Sequence, residues 1–195
     1  MGMGLFLAVM VLVVVFFVGV FNKLVALRNQ LKNAFSQIDV QLQRRYELVP
    51  NLVETAKGYM AHEANTLTGV IQARNQAYNA YKAVSGSPDN VAGMVKLGEA
   101  EGALGGALGR LFAVAENYPE LKANTTMQQL MEELTSTENR VGFARQAFND
   151  AVMSYNIARE SFPNFFVAGA MGFQAAQQLE ISNVEARQPV RVSFS

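Results

Sequence analysis

Few side chains in this 195-residue sequence are placed to do chemistry. The one histidine, His62, lies in Tyr59-Met60-Ala61-His62-Glu63, and a single imidazole beside a single carboxylate makes neither a metal site nor a catalytic triad. It reads as a partly exposed histidine on a helix surface. The absence of cysteine excludes a thiolate metal site, a cysteine nucleophile and a disulfide scaffold, and it fits a reducing compartment. Gly102, Gly105 and Gly106 are close enough to suggest a phosphate-cradling loop, but no Gly-Lys-Ser/Thr follows and no strand-like run precedes them. No base stands at a recognisable spacing from a serine or threonine. The sequence therefore nominates no catalytic residue, no cofactor and no metal site.

Two polar clusters interrupt apolar stripes: Gln41-Leu42-Gln43-Arg44-Arg45-Tyr46-Glu47 and Glu138-Asn139-Arg140. Polar groups that enter a bundle core need partners. Arg44 or Arg45 can form a forked pair with Glu116 or Glu138 that fixes helix register, while a solvated face or a ligand site are the other readings of the same runs. The glycines raise a separate question, because Gly98, Gly102, Gly105, Gly106 and Gly109 in one helix each cost about 1 kcal/mol relative to Ala. Gly102/Gly106 and Gly105/Gly109 repeat at four-residue spacing and make a flat strip. Another helix backbone can approach such a strip closely, from the same chain or from another subunit, and Gly106→Leu is then expected to disrupt packing. Glu99, Glu101 and Arg110 keep this segment out of a bilayer.

The elements that hold these residues begin with a membrane anchor. The first twenty-two residues carry no charged side chain, and residues 3–21 (MGLFLAVMVLVVVFFVGVF) are almost wholly apolar. As a helix this run reaches roughly 28 Å, close to the hydrocarbon core of a bilayer at roughly 30 Å. A cleaved secretory signal is the main rival, but no basic n-region and no small-x-small cleavage site appear; a buried core helix is the other. Lys23, Arg28 and Lys32 follow the run and no Lys or Arg precedes it, so the N-terminus is expected outside and the bulk in the cytoplasm.

Beyond the anchor the apolar residues recur every three or four positions with no sustained alternation, so the fold class is all-α. A first stripe from Leu24 runs on to Tyr81 and ends at Ser85-Gly86-Ser87-Pro88-Asp89-Asn90, a turn cluster. A second helix starts near Val91 and stops before Pro119. A third follows Asn124-Thr125-Thr126, good N-cap material, and Phe162-Pro163 closes it. Pro50 divides the first stripe. An interior proline deletes one backbone hydrogen bond and costs on the order of 3 kcal/mol, so it kinks the helix or reverses it. Reversal gives an up-and-down bundle of four helices and is favoured here; a kink gives three. The expected organisation is an anchor over residues 1–22, a cytoplasmic bundle over 23–162, and an apolar segment with a C-terminal tail over 163–195. Sixteen basic residues balance sixteen acidic ones, which offers nucleic acid no attractive field.

The run Gln37-Ile38-Asp39-Val40-Gln41-Leu42-Gln43-Arg44-Arg45, continued through Leu48-Val49-Pro50-Asn51-Leu52-Val53-Glu54, resembles the signature of the LemA family. Gly106-Ala107-Leu108-Gly109-Arg110-Leu111, Glu116-Asn117-Tyr118-Pro119-Glu120-Leu121, Glu138-Asn139-Arg140 with Ala144-Arg145, and Tyr155-Asn156 before Phe162-Pro163 extend the resemblance in order from Lys23 to Gly172. It implies a bacterial membrane protein with one N-terminal span and a cytoplasmic helical bundle, without an established enzymatic activity. The best-described role in the family belongs to a relative needed to form magnetosome membranes. This chain departs from the usual acidic, aromatic family ending, because Gln174-Ala175-Ala176-Gln177-Gln178-Leu179-Glu180 follows Gly172-Phe173.

Anchor, bundle and absent active site together lead to the expectation of a non-enzymatic scaffold that meets the lipid bilayer, forms a homo-oligomer and organises the membrane. An adaptor or regulator for a membrane protein partner, such as a protease or signalling protein, is the alternative. Residues 162–173 (FPNFFVAGAMGF) are too few to cross a bilayer, so Phe165, Phe166 and Phe173 are expected to meet the membrane interface, a neighbouring subunit or the side of the bundle. The charge bias yields a direct outcome: a reporter active only in the periplasm stays silent when fused after Ser195. Two or three lysines added before Leu5 weaken or invert that result.

Overall fold

The computed structural model describes residues 2–181, so the part of the expected tail beyond residue 181 lies outside the described residues. The described residues form six helices: α1 (Gly2–Lys57), α2 (Ala64–Lys82), α3 (Val91–Ala115), α4 (Pro119–Ala123), α5 (Thr125–Glu160) and α6 (Asn164–Ala170). The chain is all-helical there, with a long apolar N-terminal helix leading into a bundle.

At 1.5 Å per residue the 56 residues of α1 extend roughly 84 Å. Its first eighteen residues are exposed and uncovered by the rest of the chain, and the stretch is long and apolar enough to cross a membrane. This one apolar helix suggests a single-pass anchor. Burial begins at Val20 and Leu24 and continues through Leu31, Phe35, Ile38, Leu42, Val49, Leu52 and Ala56, which is the stripe of one helix face. No break separates anchor from bundle.

Four segments make the bundle. The inner part of α1 runs away from the anchor, α2 returns, α3 runs away and α5 returns. The α1–α5 pairing is antiparallel in steady register: the rings of Phe35 and Phe148 lie 5.6 Å apart, Arg44 reaches Glu133 nearer the far end, and Asn124 donates to the Tyr59 hydroxyl at the tip, 2.9 Å away. Asparagine caps start both later long helices. Asn90 Oδ1 accepts from Gly93 N at 3.0 Å and Asn124 Oδ1 from Met127 N at 2.9 Å, each filling one orphan donor of the first turn.

The chain does reverse after its first stripe, but not at Pro50. Helix α1 continues through the proline to Lys57, and the turn is made by residues 58–63, so His62 is an exposed turn residue and not a helix-surface one. Two things hold the helix together at Pro50. Leu48, Val49, Leu52 and Val53 are all buried, so the apolar face keeps its phase across the proline. The missing N–H of Pro50 also leaves the Tyr46 carbonyl without its usual helical partner. Arg74 of α2 supplies one, donating Nε–H to Tyr46 O at 3.0 Å, while its guanidinium lies 4.9 Å from the Tyr78 ring centroid. A break in one helix is thereby closed by the next. The short α4 carries Pro119 at its first turn, where the absent N–H would be unpaired in any case.

Arg74→Leu therefore orphans a carbonyl and is expected to lower unfolding stability by about 1.5–3 kcal/mol, the range for hydrogen bonds from charged donors. In a Pro50→Ala background the new N–H takes that carbonyl, and the same substitution costs less. A double-mutant cycle of chemical unfolding followed by circular dichroism reads the coupling, and equal losses in both backgrounds would break the link.

Candidate functional site

Arg45 and Tyr46 stand on the buried face of α1, where the stripe Leu42, Arg45/Tyr46, Val49 places one guanidinium and one phenol in the core. Arg45 is 1% exposed, and so is Glu101 of α3, which lies on the stripe Leu97, Glu101, Leu104, Leu108. Arg45 Nη1 donates to Glu101 Oε2 at 2.6 Å, and the Tyr46 hydroxyl donates to Oε1 of the same carboxylate. Arg45 Nη2 also lies 2.9 Å from Oε2 of Glu138 on α5, whose side chain is half exposed. One arginine thus ties three helices together. The Tyr46 ring meets Tyr78 and Tyr81 of α2 edge-on or tilted at 5.6 and 5.7 Å, which brings in the fourth.

Burial pushes the Glu101 carboxyl upward, against the lowering pull of Arg45 and Tyr46. Burial and the neighbouring Glu101 charge push the Tyr46 phenol upward as well. Both acceptor oxygens of Glu101 are occupied by donors from α1. This arrangement ties α1 to α3. Arg45 Nε and Nη2 and Asp39 Oδ1 are buried without an aligned hydrogen-bond partner.

The other residues singled out from sequence are dispersed. Arg44 is exposed and pairs with Glu133; Glu116 is exposed and pairs with Lys122. No forked pair of the expected kind forms: Arg45 meets Glu138 through the single Nη2–Oε2 contact, its Nη1 goes to Glu101, and Glu116 pairs with Lys122. Gly102, Gly105 and Gly106 are half-buried and Gly109 is exposed. Close packing inside the chain is not found at Gly106 or Gly109, where an added Cβ would meet nothing within 4 Å; at Gly105 the nearest atom is Arg45 Nη2 at 3.8 Å. Gly105, Gly106, Gly109 and Phe112 instead line an open notch of about 310 Å³ facing Leu134 and Glu138 of α5. In α3 the closely approached glycines are Gly93, packed by the Val84 side chain, and Gly98, whose missing side chain makes room for the Glu180 carbonyl.

That carbonyl belongs to a non-helical strap over residues 173–181 that lies along α5. Asn156 both donates to Ala176 O (2.8 Å) and accepts from Ala176 N (3.0 Å), and Asn149 does the same for Leu179 at 3.3 and 2.9 Å. The Tyr155 hydroxyl donates to Gln174 O at 2.8 Å and Arg159 Nε to Phe173 O at 2.9 Å. Every one of these bonds reads main chain. Asn149 was not singled out from sequence, and Asn156 entered only within the Tyr155-Asn156 block of the family resemblance; their seven-residue spacing, two helical turns apart on one face of α5, is the signal that was available.

The strap fixes α6 at the anchor end of the bundle. Val167 and Ala168 face inward and are buried, whereas Phe162, Phe165, Phe166 and Met171 are exposed. Phe173 is buried at 8% exposure, its ring 5.7 Å from that of Phe21 on α1. Phe165 and Phe166 are thus at the surface, as membrane contact would need, and Phe162 takes the place expected for Phe173. A second surface feature is a groove of about 400 Å³ lined by Val40, Gln41, Arg44, Glu133 and Arg140.

Residues 34–194 match the family model of the LemA family. The magnetosome protein MamQ of Magnetospirillum gryphiswaldense is 30% identical over 203 residues, covering 91% of this chain and 73% of that protein. Magnetosome protein MamQ 2 of Paramagnetospirillum magneticum is 28% identical over 178 residues, and the chain spans 64% of its length and is itself 82% covered. Protein LemA of Metamycoplasma hominis is 26% identical over 169 residues, 87% of this chain and 73% of that protein.

Removing one member of the buried pair is expected to be severe. Glu101→Leu leaves Arg45 charged in the core with only the half-exposed Glu138 beside it and should lower stability by about 3 kcal/mol, while the double variant Arg45→Met/Glu101→Leu recovers most of the loss. Glu138→Gln, at the exposed rim, should cost less than about 1 kcal/mol. Chemical unfolding of the detergent-solubilised protein measures all three.

Proposed function

The chain belongs to the LemA family, and on that footing we propose that it is a non-enzymatic, single-pass protein of the bacterial inner membrane that self-associates and organises or remodels the bilayer. Its N-terminus lies outside and its bundle in the cytoplasm. The observation that carries this reading is the continuity of α1, in which an uncovered apolar stretch runs without a linker into the core helix of the bundle. A rigid joint of this kind passes the orientation of the bundle on to the membrane, and that suits a part that shapes or arrays. The relatives' names support it without being enzyme names: two are magnetosome proteins and one is Protein LemA.

Self-association draws support from the outer face of α1 and α5. Phe143 is 75% exposed, and Met153 and Ile157 of α5 and Val40 of α1 are also exposed. Positions ten and fourteen residues beyond Phe143 return to within about a quarter turn of it, so the three α5 side chains share one flank. Clustered apolar side chains on a surface mark a place for protein contact. The polar groove beside Val40 favours a second reading, an adaptor or regulator that holds a membrane protease or signalling partner through Arg44, Glu133 and Arg140.

Light scattering on the full chain in detergent separates the two. The scaffold reading expects a defined particle of many copies that shrinks to small species in Phe143→Glu. A wild-type monomer or dimer that Phe143→Glu leaves unchanged overturns it and leaves the adaptor.

A further inference from the structure

The uncharged run over residues 161–179 is nineteen residues long, yet only part of it is covered by the bundle. Phe162 is 80% exposed, Phe166 57%, Met171 58% and Phe165 44%. The three rings cluster on one another, with the Phe165 and Phe166 centroids 3.9 Å apart and Phe162 6.4 and 6.2 Å from them. The bundle holds the opposite side of α6 through Val167 and Ala168 and clasps the strap that follows it. This apolar cluster is therefore presented outward by a fixed support.

Its position says what it faces. Phe21 is the last residue of the apolar run in α1, Lys23 follows it and is exposed, and the Phe173 ring rests against Phe21. When residues 3–21 cross a bilayer, Phe21 sits at the boundary between acyl chains and headgroups, and α6 lies beside it at the same level. Aromatic rings favour that boundary, and a seven-residue helix with an apolar outer face can lie in it but cannot cross it.

We propose that α6 and its flanks form a second, monotopic membrane contact, in which Phe162, Phe165, Phe166 and Met171 seat in the leaflet next to the anchor. The bilayer is the occupant, and continuity with the anchor is the reason. The contact rests on the anchor reading of α1, and the bundle then meets the membrane at two points and cannot turn freely about α1. Insertion at α6 enters one leaflet only.

The full chain has no cysteine, so single-cysteine variants can each carry one environment-sensitive fluorophore. Phe166→Cys and Met171→Cys report on α6, Val14→Cys on the anchor, and Ala61→Cys on the far tip. The labelled proteins are reconstituted at low density into phosphatidylethanolamine/phosphatidylglycerol vesicles containing phosphatidylcholine brominated near the headgroup, with aqueous iodide as the competing quencher. The expected result is loss of emission to brominated lipid at positions 166, 171 and 14, and loss to iodide alone at 61. Labels at 166 and 171 that behave like the one at 61, while 14 is quenched by lipid, overturn the second contact and leave the anchor standing. Protection of 166 and 171 from both quenchers overturns it in favour of a protein neighbour. A label at 14 that lipid does not reach removes the anchor reading and the contact with it.

Discussion

A charged guanidinium buried where four helices meet must be neutralised on the spot, and the bundle is arranged around that requirement. Arg45 has Glu101 on one side and Glu138 on another, and Tyr46 next to it occupies the second oxygen of Glu101. Apolar stripes alone tolerate a slip of one turn between neighbouring helices, because leucine packs on leucine nearly as well one turn along. A single buried cation does not, since one turn of sliding would leave both charges in hydrocarbon without partners. Buried ion pairs in general add little net stability over an apolar replacement, so register is the contribution expected of this one. With α1, α3 and α5 locked at this level, the two ends of the bundle are also set, the tip at Tyr59 and Asn124 and the anchor end at Phe21 and Phe173.

Tyr46 joins that lock to a second constraint. Its hydroxyl serves Glu101 and its carbonyl, released by Pro50, accepts from Arg74. A proline seven residues before the end of a 56-residue helix is therefore no weak point but a docking position for α2, which also meets the Tyr46 ring and accepts at the Tyr81 hydroxyl from Gln43 Nε2 at 2.6 Å. The same logic recurs at the other end, where side chains of α5 hold strap main chain. In both places irregular backbone is tolerated because a neighbouring helix completes its hydrogen bonds.

Much of this was legible in the sequence. The apolar run of α1, the turn at residues 85–90, the starts of α3 and α5 at Asn90 and Asn124, and the stop at Phe162-Pro163 depend on residues within a few positions of one another, and the local pattern carries them. What escaped depends on partners far along the chain. Pro50 reads as a reversal until Arg74, twenty-four residues later, is seen to satisfy Tyr46 O. Glu101 sits in phase with Leu97 and Leu104, and its burial was readable from period alone, but its charge argued for solvent. Four glycines in α3 suggested a close approach, whereas the one that admits another backbone, Gly98, serves a strap whose path no local rule gives.

Continuity of α1 has a mechanical corollary. With residues 3–21 in a bilayer, the helix from Phe21 to Lys57 would project roughly 54 Å beyond it, and a change of about 10° in its inclination would swing the tip sideways by roughly 9 Å. Inclination of a spanning helix answers to the thickness of the hydrocarbon it must match. On that geometry a thinner or thicker patch of membrane would displace residues 58–63 by about the width of one helix, far from the lipid that caused it.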